Sequence, residues 1–238
     1  MARTVKPEQF ASKRGKILEA VQRVVFTKGY AQMSLQDVLD EARISSGAFH
    51  HYFDSREALL DAFIEQIKQE TDKPLLPVLQ DPQLTAIEKL QGFFDTLGRL
   101  RTDHQADVIS LGRVWYTDAN AVVRQRVDEA LRQQRAPLVT DIVRQGVREG
   151  LFTTAYPEQS GEVILTLWQG MGNTHAQLFL SFEQAPDQRQ WVDTVVATHA
   201  AYMEAIERVL GAPPHCLRRL EADVVSVWVA ALQGNGQA

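Results

Sequence analysis

Apolar residues recur every three or four positions along most of the chain, and no segment shows the alternation typical of a half-buried strand. The first clear case runs from about Ser12 to Lys28 and is followed by Gly29. Glycine after such a segment is a common helix end, because it adopts a positive φ without steric cost. The pattern predicts an all-α fold of about nine or ten helices.

Two further helices are predicted before residue 54, with a very short connection between them. Ser34 is placed to cap the first, and Asp37 follows three residues later, as in a capping box. The next helix is very short and begins near Ser45 or Ser46. A connection of about three residues forces two helices to cross steeply. The spacing therefore predicts a helix-turn-helix.

Clusters of Gly, Pro, Asp and Ser divide the rest of the chain into longer helices. We expect Pro137 to kink a helix over 119–149. An amphipathic helix is predicted over 214–232, with one apolar side formed by Leu217, Leu220, Val224 and Trp228. The expected domains are residues 1–54, residues 55–211 and a C-terminal extension, 212–238.

Composition and charge narrow the class of protein. A hydrophobic content of 45% is ordinary for a globular chain, and the longest apolar run is too short to span a membrane. The N-terminus has no secretory signal, and the single cysteine, Cys216, excludes a disulfide framework. We therefore expect a cytoplasmic protein with no membrane association.

Charge is distributed unevenly along the chain. Residues 1–56 carry a net charge of +3, and the remainder carries −8. A basic N-terminal segment on an acidic body suggests that this end meets a polyanion. An excess of this size also arises by chance, so charge alone does not decide between the two interpretations.

The stretch from residue 17 to residue 60 carries a combination of residues typical of one family. Its characteristic positions are Ile17, Leu18, Ala20, Gly29, Tyr30, Ser34, Asp37, Ala42, Ser45, Gly47, Phe53, Ser55, Glu57, Leu59 and Leu60. With these, the stretch closely resembles the N-terminal DNA-binding domain of the TetR family of transcriptional regulators. The resemblance covers about a fifth of the chain. It implies a three-helix DNA-binding domain followed by a helical ligand-binding and dimerisation domain.

The candidate DNA contacts lie around the short third helix. Small side chains at the start of a recognition helix let its backbone approach the groove, and serine hydroxyls bond to bases or phosphates. By resemblance, His50 and Tyr52 contact phosphates, Ser55 caps the fourth helix, and Arg56 lies at that helix's positive end. The predicted set is Ser34, Gln36, Ser45, Ser46, Gly47, Ala48, His50, His51, Tyr52 and Arg56.

Two features of this stretch leave alternatives open. His50 and His51 are adjacent on a helix and so point in different directions, which argues against a shared metal ion. A structural or solvent-facing role for one of them competes with phosphate contact. Arg43 stands where the family commonly has glycine. A left-handed arginine costs roughly 1 kcal/mol, so either its charge compensates near phosphate or the turn relaxes.

Two long helices are candidates for a homodimer interface. The helix over 158–182 has two neighbouring stripes, one beginning at Ile164 and Trp168 and the other at Val163 and Leu167. The helix over 187–210 likewise has two apolar faces. Helices apolar on two sides are usually buried on both. The resemblance implies a four-helix bundle with a second subunit, and burial within one chain is the alternative.

The resemblance also implies an effector cavity in the C-terminal body. A mostly apolar cavity with a few polar groups suits a small hydrophobic ligand. Ordinary core packing explains each candidate at least as well. The candidates are Phe93, Phe94, Leu97, Trp115, Tyr116, Trp168, Met171 and His175.

These features together predict a ligand-responsive regulator, in particular a repressor that binds a palindromic DNA operator and is released by its effector. An activator, or a regulator that needs a co-ligand, is the alternative within the same fold. An enzyme is disfavoured because no hydrolase, phosphate-loop or complete dinucleotide motif is present, and no metal or cofactor site is predicted. A helix-turn-helix that docks a protein instead of DNA is a further competitor.

Overall fold

The computed structural model describes residues 7–102, 112–182, 185 and 187–234. Within these residues the chain forms α-helices and two short 3₁₀ turns and has no strand, which confirms the all-α prediction there. The helices of defined bounds are α1 Pro7–Lys28, α2 Leu35–Ala42, α3 Ser46–His50, α4 Arg56–Asp72, α5 Leu76–Gln80, α6 Ala86–Thr102, α7 Ala121–Arg148, α8 Pro157–Leu180, α9 Gln188–Leu210 and α10 Ala222–Gly234.

The chain divides into two compact units. The first comprises Met1–Glu70 and Arg113–Val127, and the second comprises Thr71–Gly112 and Asp128–Ala238. This division differs from the boundary at residue 54 suggested by the sequence. Most of α4 and the segment Arg113–Val127 belong to the same compact unit as the helix-turn-helix. Helices α4 and α7 each contribute residues to both units.

The first unit contains the predicted helix-turn-helix. Helix α1 packs against α2, and it begins at Pro7, five residues earlier than the sequence suggested. The capping box at α2 is present: the Asp37 N–H donates to Ser34 Oγ over 3.1 Å, and the Ser34 N–H donates to Asp37 Oδ2 over 2.7 Å. Ser45 caps α3 by accepting the Ala48 N–H, and Ser55 caps α4 by accepting the Ala58 N–H. These local predictions are confirmed.

The core of the second unit forms from α6, α7, α8 and α9. The ring of Phe94 on α6 stacks on Trp168 of α8, with centroids 4.4 Å apart. Its largest fully buried side chains include Phe93, Leu90, Ile164, Met203, Ile206 and Leu210. Helix α7 continues through Pro137, and the kink expected at this residue stays a prediction.

Helices α7 and α8 approach each other closely at Gly161. A Cβ at this position would lie 2.7 Å from the carbonyl oxygen of Ala136 and 2.8 Å from the backbone nitrogen of Thr140. Real Cβ atoms do not approach backbone atoms so closely. Glycine at position 161 therefore sets the distance between the two helix backbones.

The C-terminal extension differs from its sequence prediction. Helix α10 begins at Ala222, not near residue 214, and it buries Val225 and Val229 while Val224 is 41% exposed. Of the predicted apolar side, Leu217 is buried and Leu220 and Trp228 pack against the core, so the prediction was wrong at Val224 and in the start of the helix. Residues 215–219 do not form a helix because their backbone is bound to the buried carboxylate of Glu207. This carboxylate accepts hydrogen bonds from the backbone N–H groups of His215 and Leu217, and it forms an ion pair with Arg219.

Glu207 remains charged although it is buried. Burial alone would raise the pKa of its carboxyl group, but the Arg219 guanidinium and the two backbone N–H groups outweigh this and lower the pKa. A single ionised side chain thus fixes the chain after α9 and directs it back along the unit.

Helix α10 covers an aromatic group on α8 and α9. Trp191 packs edge-on against Phe179 and Phe182, and Phe179 also contacts Trp228 of α10. The Trp191 indole N–H donates to the Leu178 carbonyl over 3.0 Å. The extension is therefore part of the core of the second unit.

His199 on α9 lies largely buried beside His175 of α8, with ring centroids 6.0 Å apart. Burial, followed by the neighbouring His175 and Arg219, lowers the pKa of His199 from 6.5 to about 4. The Leu220 N–H donates to its Nδ1 over 3.2 Å, which requires that nitrogen to be unprotonated.

Replacing Gly161 by alanine is expected to lower the free energy of unfolding by about 1–3 kcal/mol, because the added methyl group forces α7 and α8 apart. Gly170→Ala on the same helix is the matched control. Its Cβ would meet only Tyr202 at 3.4 Å, so stability should be unchanged or slightly increased. Urea denaturation of both variants measures the difference. Equal effects at the two positions would contradict the close contact at Gly161.

Stability is expected to fall as the pH decreases from about 6.5 toward about 4, since the unfolded chain binds a proton at His199 that the folded chain excludes. The expected contribution is about 2 kcal/mol between about pH 7 and about pH 5. His199→Gln retains an acceptor for Leu220, and urea denaturation should show a smaller loss in this variant than in the wild type. The same loss in both proteins would argue against His199 as the source.

Candidate nucleic-acid interface

Helix α3 is the short helix that the sequence predicts to be the DNA-recognition helix. It is five residues long and has one buried anchor, Phe49, whose ring lies 5.7 Å from that of Phe53. Its other residues are exposed or half-buried: Ser46, Gly47, Ala48 and His50. One face of α3 is thus held by the unit while small side chains remain accessible to a partner.

The end of α3 is held by the N-terminal part of α1. The Phe10 ring lies 5.7 Å from His51 and 4.8 Å from Tyr52. Both residues are therefore in contact with α1, although His51 remains exposed, and His50 is exposed with its ring near the edge of Phe49. His50 and His51 are thus accessible to a partner, and Tyr52 is half-buried.

The two candidates on α2 already have partners within the unit. The Ser34 hydroxyl donates to Asp37 over 2.6 Å, and the Gln36 amide donates to Asp40 over 2.7 Å. Hydrogen bonds from Lys28, then from Ser34, hold the pKa of Asp37 well below its usual range. A DNA contact from either side chain must be compatible with these bonds.

Arg56 at the start of α4 is bound to the turn after α1. Its guanidinium donates to the Tyr30 carbonyl oxygen over 2.7 Å and lies over the Tyr30 ring, 4.6 Å from the centroid. No described carboxylate pairs with it. Its positive charge therefore remains available at the surface of the unit, in a position determined by Tyr30.

Asn120 is a residue of this unit that the sequence analysis missed. It is fully buried; its Oδ1 accepts the Tyr30 N–H over 2.8 Å, and its Nδ2 donates to the carbonyls of Val25 and Val114. Beside it, Ala119 packs against Gly29, which has a φ of 83°. The segment before α7 is thereby fixed to the end of α1.

The proposed effector-binding residues do not all lie in one unit. Trp115 and Tyr116 belong to the first, where Trp115 packs 5.6 Å from Phe26 and Tyr116 lies under Arg124. The others belong to the second. There Phe93, Phe94, Leu97 and Met171 are buried in the core, and Trp168 and His175 are half-buried.

Two features are absent from the residues that the structure describes. No three His, Cys, Asp or Glu side chains are grouped there in an arrangement that could hold a metal ion. Among the same residues, no helix has the length and apolar content needed to cross a membrane.

Comparison with known sequences assigns the two parts of the chain. Residues 17–63 match the family described as bacterial regulatory proteins, tetR family. Residues 108–178 match the family described as tetracyclin repressor-like, C-terminal domain. The chain belongs to the TetR family. As a TetR-family protein it is a DNA-binding transcriptional regulator, and the resemblance found in residues 17–60 is confirmed.

Individual relatives agree with this assignment. The transcriptional repressor KstR2 of Mycobacterium tuberculosis (strain H37Rv) is 26% identical over 148 residues, covering 60% of this chain and 71% of the repressor. The repressor NemR of Escherichia coli (strain K12) is 25% identical over 199 residues, covering 79% and 95%. These relatives are transcriptional regulators and not enzymes.

The fold also agrees with solved structures. The reduced form of E. coli NemR matches with a TM-score of 0.54 at 16% identity, covering 84% of this chain and 99% of that one. A TetR transcription regulator from Haloarcula marismortui matches with a TM-score of 0.54 at 21% identity, covering 82% and 98%. At these identities the likeness concerns the TetR-family fold alone.

Asn120→Ala is expected to destabilise the protein by about 2–3 kcal/mol, because it leaves the buried Tyr30 N–H unsatisfied and creates a cavity. Amide hydrogen exchange at Tyr30 should accelerate. Arg126→Gln is the control in the same segment: it removes an exposed ion pair with Asp61 and should cost less than about 1 kcal/mol. Unchanged exchange at Tyr30 in the alanine variant would contradict the role assigned to Asn120.

Proposed function

We propose that the chain is a ligand-responsive repressor that binds a palindromic operator as a homodimer and is released by a small, mostly hydrophobic effector. The observation that carries the proposal is the exposed, small-residue surface of α3, held in place by Phe49 and the Ser45 cap. The relatives KstR2 and NemR, both named repressors, support the direction of regulation. Such a regulator acts in the cytoplasm, where its DNA is.

DNA recognition would fall chiefly on Ser46, Gly47 and His50, the exposed residues of α3. Small side chains at the start of a recognition helix permit close approach to base edges in the major groove. Ser45 can donate its hydroxyl hydrogen while its oxygen caps α3. Arg56 would place a positive charge near the phosphate backbone.

A dimer follows from the small size of this reading surface. One helix of five residues contacts only a few base pairs, and helix-turn-helix proteins gain specificity by binding two half-sites about 34 Å apart. We place the interface on α8 and α9. Their apolar residues near Trp191 are already covered by α10, so the positions that remain exposed would form the dimer interface. These are Val163, Thr166, Gln177 and Leu180 on α8, and Ala197 and Ala201 on α9.

The effector would bind in the second unit, near Phe94 and Trp168. The stacked pair of buried Phe94 and half-buried Trp168 supplies apolar side chains, and the His175–His199 pair supplies polar groups. Binding must favour one conformer by several kcal/mol to move most of the population. Helices α4 and α7 contribute residues to both units, so the chain itself offers two routes for the change. A bound effector that left operator affinity unchanged would contradict this mechanism.

Selection from a randomised duplex library of about 40 base pairs is expected to enrich a palindrome whose half-sites are about 34 Å apart, because the reading helices of a dimer are separated by one helical turn of DNA. Sedimentation should show two chains per enriched duplex. Gly47→Gln should bind that duplex roughly tenfold or more weakly, because it blocks close approach of α3. Its melting temperature should not fall, since nothing lies within 4 Å of a Cβ there.

Gly98→Gln on α6 is the matched control, since a Cβ there also meets open space, and its affinity should equal that of the wild type. Enrichment of a site without two-fold symmetry would argue against the dimer. Failure to enrich any sequence, or full affinity in Gly47→Gln, would argue against recognition through α3.

A further inference from the structure

Three helices end with the same backbone motif, but one of them uses an unexpected residue. After α2, α7 and α9, a residue with positive φ donates its N–H three residues back, and the next N–H donates five residues back. This is the Schellman motif, which favours glycine. The residues with positive φ are Arg43 (54°), Gly150 (72°) and Gly211 (60°).

The turn at Arg43 has not relaxed to avoid its left-handed conformation. The Arg43 N–H donates to the Asp40 carbonyl over 3.2 Å, and the Ile44 N–H donates to the Leu39 carbonyl over 3.0 Å. These bonds hold the backbone at φ 54° and ψ 49°. His215 is the other described non-glycine residue with positive φ, but histidine is enriched in this region and arginine is not. Arg43 is therefore strained at a place where glycine would not be.

The Arg43 side chain forms no hydrogen bond or ion pair with the described residues that could offset this strain. It is exposed, and no described residue accepts a hydrogen bond or ion pair from its guanidinium. Neighbouring cations do have partners: Arg23 pairs with Glu41 at 2.5 Å, and Lys28 pairs with Asp37 at 2.8 Å. The positive charge of Arg43, close to the start of the recognition helix, thus has no ionic partner among the described residues, and it belongs to a residue whose backbone is strained.

We propose that Arg43 is a phosphate-binding residue of the DNA interface, and that its strained backbone is retained because glycine cannot supply this charge. The proposal rests on the DNA-binding function. Arg43 lies two residues before Ser45, the cap of α3, in the connection that leads into the reading helix. A guanidinium there meets the sugar–phosphate edge of the groove that α3 enters. Such a contact adds affinity and fixes the helix without selecting a base. Strain of this kind is characteristic of functional sites.

The test measures affinity as a function of salt for Arg43→Gly and Arg43→Lys, on the enriched duplex and on a scrambled duplex of the same composition. Each lost phosphate contact makes the slope of log K against log salt less steep by about 0.9. Arg43→Gly should show this change for each chain bound, with roughly threefold to tenfold weaker binding to both duplexes. Arg43→Lys should retain the wild-type slope. The melting temperature of Arg43→Gly should equal or exceed that of the wild type.

Arg208→Gln is the matched charge control: it also removes one exposed arginine, from α9 in the second unit, and should leave the slope unchanged. A wild-type slope in Arg43→Gly would overturn the proposal, and so would a lower melting temperature, which would give Arg43 a structural role. Loss of affinity for the enriched duplex alone would identify a base contact instead. A wild-type protein that binds neither duplex would contradict the DNA-binding function itself, which separates that failure from failure of the proposal.

Discussion

The helices of this protein depend on sharp reversals of the chain, because a helix in water is stable only when its apolar face is covered. After α2, α7 and α9 the reversal uses a residue with positive φ, which satisfies the final carbonyl groups and turns the chain toward its neighbour. Of these helices, α3 depends most on the chain reversal that precedes it. With five residues and one buried anchor, it relies on the turn at Arg43 and the Ser45 cap to fix its start, while Phe10 of α1 holds its end.

Where the chain is irregular, a single buried polar side chain takes the place of the helical hydrogen bonds. In the first unit Asn120 bonds to the backbone of Tyr30, Val25 and Val114. In the second, Glu207 bonds to the backbone of residues 215 and 217. Buried backbone groups require partners, so each of these side chains determines the path of a segment that has no helix of its own.

The sequence predicted features that depend on neighbours a few residues away. The caps at Ser34, Ser45 and Ser55 follow from residue type and spacing, since each bonds to an N–H three residues on. Asn120 gave no such signal because its partner Val25 is 95 positions away. The start of α10 was misplaced for the same reason: the apolar spacing extends back to Leu217, but a bond to Glu207, ten positions earlier, holds that residue out of the helix.

Ser34 and Ser45, both proposed to contact DNA, differ in whether their hydroxyl hydrogen is already used in a hydrogen bond. A hydroxyl has one donor and two acceptor sites. Ser45 uses an acceptor site to cap α3, and its hydrogen remains free to donate to a phosphate oxygen or a base acceptor. Ser34 accepts the Asp37 N–H and also donates to the Asp37 carboxylate, so no donor remains. Phosphate oxygens only accept hydrogen bonds. Ser34 can therefore contact phosphate only by giving up its bond to Asp37, whereas Ser45 can cap its helix and bind DNA at once.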